Sequence, residues 1–331
     1  MTFSMQSLLP ALSPHSAQLV GPAALERLAR FAKGFPPIGT SGAFELHLGA
    51  AADRADLLVF SDGQGGRRKL SRALAQGAPH LAGPPLQPLL EEWTVPGALL
   101  SARTSLLWLE YDLPGGGESR APMVYFGLLG LSPEELGDLV RRTRRLLTGR
   151  AAEDAQIRTI EHCMRSLPGD SRITFFADPC ASRGVEHVRL IAQIPRVHGW
   201  AWLERIGWPG CRDQWEQAST IFESGPAHLS LYVDVADTVG PILGVEATLP
   251  PPDSSPEHWE RLAEQLVDLG ATTAEEAAAV LAWAGYETVD LPGVESLVRI
   301  VRMPSFKLVL DARGGISAKG YLGFRAHETL F

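Results

Sequence analysis

The feature that most constrains this 331-residue chain is a pattern that recurs five times: two short strand-like segments, then helical sequence. The first pair reads Phe44–Leu48 and Asp56–Phe60. The second reads Ser105–Asp112 and Met123–Gly127, with a glycine-rich turn between. The third is Arg172–Phe176 with His187–Ile194, the fourth Leu229–Val235 with Ile242–Leu249, and the fifth Phe306–Asp311 with Ala318–Phe324. β-Branched and aromatic residues alternate with polar ones through these segments, which is the pattern of strands with two different faces. The pairs start near residues 44, 105, 172, 229 and 306, roughly 60–75 residues apart and too far for a solenoid repeat.

The intervening segments read as helices. Ser132-Pro-Glu-Glu135 is a capping box with proline at the first helical position, and Gly149 ends that helix. Ser255-Pro256 opens another that stops near Gly270. Thr273 with Glu276 opens its partner, predicted to run to Gly285. Trp200–Ile206 and Asp213–Phe222 form a shorter pair. The Pro- and Gly-rich stretch from Arg67 to Leu100 is expected to hold two short helices, with Gly63-Gln-Gly-Gly66 before it a loop. The first ~35 residues are a helical or irregular lead-in. Ten antiparallel strands with helices after each hairpin predict an α/β fold of five ββαα repeats. The sheet closes into a ten-stranded barrel with the helices outside, over a single domain, residues 1–331.

Helices outside the sheet require the apolar face of each strand to point outward. Val188, Leu190, Ala192 and Ile194 fit that face, which sends His187, Arg189 and Gln193 into the barrel. By the same parity Glu45, His47, Ser230, Tyr232, Asp234, Gly244, Glu246, Thr248, Lys307, Asp311, Lys319 and Tyr321 point inward. Ten strands leave room for a ligand as well as side chains. A lumen lined by Arg, Lys, Tyr and Glu is unlike a packed core. Either these charges pair with one another or they surround a charged ligand.

The net charge of −8 argues against broad nucleic-acid binding. No apolar run is long enough to span a bilayer, and the N-terminus lacks the basic start and apolar core of a secretory signal, so a cytoplasmic protein is expected, with no membrane partner. Cys163, Cys180 and Cys211 fit neither a disulfide framework nor a zinc pattern, and read as inert thiols in a reducing compartment. No dinucleotide or Walker motif, nucleophile elbow or Asp-rich magnesium motif is present, and no metal ligands are assigned. The basic run Arg141-Arg-Thr-Arg-Arg145, late in its helix, reads as a solvated face.

Two sets of residues carry a resemblance. Gly39-Thr40 through Phe44-Glu45-Leu46, followed by Arg54 and Leu57–Phe60, is one. Lys319-Gly-Tyr321-Leu322 is the other. Together they resemble the ABBA-type (PT-barrel) aromatic prenyltransferases, including the indole and cyanobactin-peptide enzymes. The resemblance implies five αββα units around a ten-stranded barrel, with the reaction in the lumen. It implies Glu45 as general base and Arg54 as a diphosphate ligand. Lys319 and Tyr321 match the family's basic-x-Tyr pair; Arg189, Tyr232 and Lys307 join them by strand position. The chain departs from the family at Ile191, where a tyrosine would complete a pair with Arg189, and at His47, where a small residue is usual.

Prenyl transfer ionises an allylic diphosphate, so cations and hydroxyl donors must meet the departing anion. Arg54, Arg189, Lys307 and Lys319, with Tyr232 and Tyr321, could do this without magnesium or another cofactor. The allylic cation needs aromatic faces and dryness, for which Trp108, Tyr232 and Tyr321 are candidates, with His47 and Glu110 beside the substrate. A lumen carboxylate takes the acceptor's proton, Glu45 first and Glu110 second. The expected co-substrates are dimethylallyl, geranyl or a longer prenyl diphosphate, and an aromatic small molecule or peptide acceptor in natural-product biosynthesis. Two other readings compete. One is a non-catalytic barrel that holds a peptide or an anionic or lipid-like ligand. The other is an open α+β sheet without a lumen, acting as a partner or maturation protein.

Overall fold

The computed structural model describes residues 3–49, 55–81, 83, 85–113, 121–223, 227–247 and 255–329. Arg54, Thr248 and the glycine-rich turn of the second hairpin lie outside them. Strands come in sequence-adjacent pairs: β1 (Ser41–His47) and β2 (Ala55–Asp62), β3 (Thr104–Tyr111) and β4 (Met123–Leu128), β5 (Arg172–Pro179) and β6 (Val188–Pro195), β7 (His228–Val235) and β8 (Val239–Glu246). After β9 (Gly285–Val289), the last pair is β10 (Val298–Asp311) and β11 (Ile316–Glu328). Each strand pairs antiparallel with the next around the ring, and β11 closes onto β1 over Ser41–His47, so ten strands form a complete barrel. Closure removes every open edge from the ring.

Helices lie in the connections. The lead-in is α1 (Met5–Ser16) and α2 (Pro22–Gly34). Then come α3 (Gly63–Ala75), α4 (Leu86–Thr94), α5 (Leu99–Arg103), α6 (Pro133–Thr148), α7 (Asp154–Arg165), α8 (Gly199–Arg205), α9 (Arg212–Ile221), α10 (Pro256–Asp268) and α11 (Ala274–Ala282). The capping boxes at Ser132–Glu135 and Thr273–Glu276 both form, and Gly149 ends α6 in the left-handed conformation. The main core fills the space between helices and barrel, where Phe44, Leu46, Leu57, Leu109, Phe126 and Leu190 meet the apolar helix faces. Trp93, Trp202 and Trp283 are fully buried there, each donating its indole N–H to a protein oxygen.

Several sequence expectations need correction. Gly63–Gly66 is not a loop but the first turn of α3, and Gly66 is required there because a Cβ would come within 2.5 Å of Ser61 Oγ on β2. The stretch from residue 67 to 100 takes part in three helices rather than two. α11 ends at Ala282; Gly285 does not end a helix but opens β9, which pairs with an extension of β10 beyond the barrel. The second strand of the fourth hairpin begins three residues early, at Val239, and ends at Glu246. The arginines of α6 are not uniformly solvated. Arg144 reaches the fully buried Asp178 at 2.9 Å, where burial pushes the carboxyl up to about 6 against the pull of Arg144.

Candidate active site in the barrel lumen

Inside the ring, the residues opposite the core-facing set meet one another across strands. Glu45 on β1 stands between Asp56 on β2 and Tyr321 on β11, and Lys307 on β10 stands between Glu246 on β8 and Lys319 on β11. Trp108 on β3 lies between Phe60 and Tyr125, while Arg189 on β6 is opposite Asp234 on β7. The two-residue period of a strand therefore carries all these side chains to one interior.

Glu45 is the hub of one wall. Lys319 Nζ donates to Glu45 Oε1, Tyr321 OH donates to Oε2 at 2.5 Å, and Lys307 Nζ is 4.0 Å from Oε2. Burial alone would push this carboxyl up, but Lys319 and Lys307 outweigh it and hold Glu45 far below the usual carboxylate range. Lys307 is almost wholly buried. Desolvation brings its ammonium down to about 8 against the support of Glu45. The ammonium sits 4.5 Å from the Tyr232 ring centre and 4.9 Å from that of Tyr321, within cation–π range of both. Burial beside acidic groups pushes both tyrosine hydroxyls well above their ordinary value, so they act as donors. Tyr232 OH and Ser305 OH donate to the two oxygens of Glu246.

The facing wall is aromatic. Trp108 has the ring centres of Phe175 at 4.3 Å, Phe60 at 4.8 Å and Tyr125 at 5.7 Å. Met123, Tyr125, Ala177 and Ile191 form a second, smaller apolar cluster with them, separate from the core outside the ring. Tyr125 OH donates to Glu110 Oε2 at 2.7 Å. Trp108 Nε1 is buried without a hydrogen-bond partner among the described residues. Between the walls is a cavity of about 230 Å³, lined among others by Phe60, Trp108, Glu110, Tyr232, Glu246, Lys307 and Tyr321.

Glu45, Lys307, Lys319, Tyr321, Tyr232, Trp108 and Glu110 are thus brought to one space. His47 is at its edge, with Nε2 3.8 Å from Glu45 and 3.9 Å from Asp56. Arg189 is also on the lumen wall, held to Asp234 through two hydrogen bonds at 2.7 and 3.1 Å. Several of these lumen charges pair with one another. Among the described residues, five lumen carboxylates (Glu45, Asp56, Glu110, Asp234 and Glu246) meet Arg189, Lys307 and Lys319, with Arg183 4.0 Å from Glu110. Glu45, His47 and Asp56 bring ligand-type atoms within 4.8 Å of one another. The two ammonium groups at Glu45 make that cluster unfavourable for a metal ion.

Phe60, Tyr125, Phe175, Asp56 and Ser305 were not singled out from sequence. For Tyr125 the signal was available, since Trp108 and Tyr125 are cross-strand neighbours in the second hairpin. Phe60 belongs to a run, Leu57–Phe60, that is apolar on both faces and gives no parity.

A closed ten-stranded antiparallel barrel within a ring of helices, with its polar and aromatic residues turned inward, is the fold of the ABBA-type prenyltransferases, and this chain has it. Two solved structures align over nearly the whole length. One is 6-dimethylallyltryptophan synthase from Micromonospora olivasterospora in complex with DMASPP and Trp, 16% identical, covering 96% of both chains with a TM-score of 0.53. The other is AnaPT from Neosartorya fischeri, 11% identical, covering 97% of this chain and 94% of that one with a TM-score of 0.59. No protein-family profile matches the chain, and no curated protein matches it in sequence.

Proposed function

We propose that the protein is a metal-independent prenyltransferase that moves a short allylic group from its diphosphate to an aromatic acceptor within the lumen, the chain working as one barrel unit. One observation carries this: a carboxylate, Glu45, is bracketed by Lys319, Lys307 and Tyr321, and the last two line a small cavity together with an aromatic wall. The fold shared with known prenyltransferases supports it. The donor's C–O bond breaks and the electron pair leaves with the diphosphate, which Lys307, Lys319 and Tyr321 receive. Arg54 and Arg189 would add to that site, the latter by leaving Asp234. The allylic cation lies against Tyr232, Tyr321 and Trp108. The arene forms the new C–C bond, and its displaced proton passes to Glu45.

Held by both lysines, Glu45 is too strongly ionised to be a good base. An incoming diphosphate competes for its lysines and restores its basicity, so base and donor become ready together. The buried thiols of Cys163 and Cys180, both pushed up to about 12 by burial, suit a reducing, cytoplasmic setting.

The test is incubation with dimethylallyl or geranyl diphosphate in EDTA, with indoles, phenols and Trp- or Tyr-containing peptides as acceptors. Mass gains of one prenyl unit that disappear in Glu45→Gln are the expected result. Absence of turnover with every donor and acceptor would overturn the proposal. It would favour a binding barrel, a reading to which the prior pairing of the lumen cations lends support.

A further inference from the structure

The second carboxylate of the cavity, Glu246, has no task in this reaction. Its two oxygens accept from Tyr232 and Ser305, which are neutral donors: they fix the group without neutralising it. Among the described residues no ammonium or guanidinium lies within 4 Å of it; its cross-strand neighbour Lys307 attracts it at longer range and is shared with Glu45. Glu110 lines the same cavity and also takes a hydroxyl, from Tyr125. Its cation, Arg183, is 4.0 Å away and bound more closely by Asp112 at 2.7 Å. Among the described residues the lumen wall carries more carboxylates than cations, and a diphosphate would add further negative charge. Partly buried charge of one sign is costly until a counter-charge arrives.

The counter-charge must fit between aromatic rings, because Phe60, Trp108 and Tyr232 line the space that Glu110 and Glu246 share. On the basis of the prenyl-transfer reading, we infer that the acceptor is a cationic arylalkylamine. Its ring lies against Trp108 and its ammonium group is bound by Glu246, with Glu110 as the further carboxylate of the cavity. Such a molecule brings the missing positive charge on the same skeleton as the nucleophilic ring. A neutral aromatic leaves Glu246 with only its share of Lys307, and an anionic one adds repulsion.

Tryptamine, its neutral analogue tryptophol and the anionic indole-3-propionate separate the possibilities. Binding to the whole protein is measured by calorimetry without donor, and turnover with dimethylallyl diphosphate. The expected order of affinity is tryptamine, then tryptophol, then indole-3-propionate, with at least a tenfold gap at the first step. Glu246→Gln should shrink the tryptamine-to-tryptophol ratio severalfold. Glu110→Gln, which leaves the Tyr232–Ser305 contacts untouched, should shrink it less. Equal affinity for tryptamine and tryptophol, or no binding of either, overturns the inference. If tryptophol is also prenylated as fast as tryptamine, prenyl transfer stands and the charge requirement falls. Selective tryptamine binding without any prenylation upholds the cationic site and removes the transferase reading instead.

Discussion

Glu45 offsets the charge of two lysines and is also the proposed base, so the two roles separate by mutation. Glu45→Gln should lower turnover by about 10²–10⁴-fold, the usual range for losing a general base, while donor affinity measured by calorimetry is kept or rises because the lysines lose their competitor. Lys319→Ala should weaken dimethylallyl diphosphate binding about tenfold or more, and unchanged affinity would remove this wall as the diphosphate site. Because Lys307 carries its proton only up to about pH 8, donor affinity should fall as pH rises through that value in a binding titration. Glu45 is lowered from an ordinary 4.5. Its ionised form therefore stabilises the fold above that pH and ceases to do so as the medium acidifies below it. The acid limb of a stability–pH curve should accordingly be shallower for Glu45→Gln. The inward positions of Glu45, Lys307, Lys319 and Tyr321 were legible because their strands alternate cleanly. Asp56 was not, since it precedes an unbroken apolar run that hides its parity. The pairing of Arg189 with Asp234 was foreseeable only as one option, because charge type alone does not say whether a ligand or a neighbour answers it.

Among the elements, strand β1 depends on a close approach that only glycine permits. A Cβ on Gly39 would fall 1.9 Å from the Phe60 carbonyl oxygen of β2. The backbone cannot yield there without opening the first hairpin. Gly39→Ala should therefore cost about 3 kcal/mol, read as a lowered urea midpoint, and a midpoint equal to wild type would contradict the contact. The hairpins were legible from period-two alternation and the helices α6 and α11 from their capping boxes, because those signals are local. Strand β9 was hidden: it is five residues long, follows a helix directly, and starts at a glycine that on sequence alone reads as a stop. The early start of β8 was masked by Pro241, which usually argues against a strand. Its lack of an N–H is tolerated near the hairpin turn, where its carbonyl accepts from Ala312 N.

For the whole molecule, closure is the property on which the rest depends. Pairing of β1 with β11 joins Glu45 to Lys319 across 274 residues of sequence. Removing residues 316–331 deletes one wall of the candidate site and opens both neighbouring strands. The truncated chain should show no cooperative thermal transition by circular dichroism. A cooperative transition near that of the full chain would mean that the ring does not need its last strand. Closure was inferred from the number of hairpins and the outward apolar face, yet no local signal says which two strands meet last. No helix among the described residues is long and apolar enough to cross a membrane.

That distant pairing also governs how the protein can be made. On a ribosome adding about 5–20 residues per second, β1 emerges early and waits roughly a quarter to a whole minute for the partner on its open side. During that time the β1–β2 hairpin and each one after it can form, but the growing sheet exposes an edge at both ends. The ring therefore cannot close before β11 has been made, and the nascent chain is a client for whatever shields unpaired strands until β11 arrives.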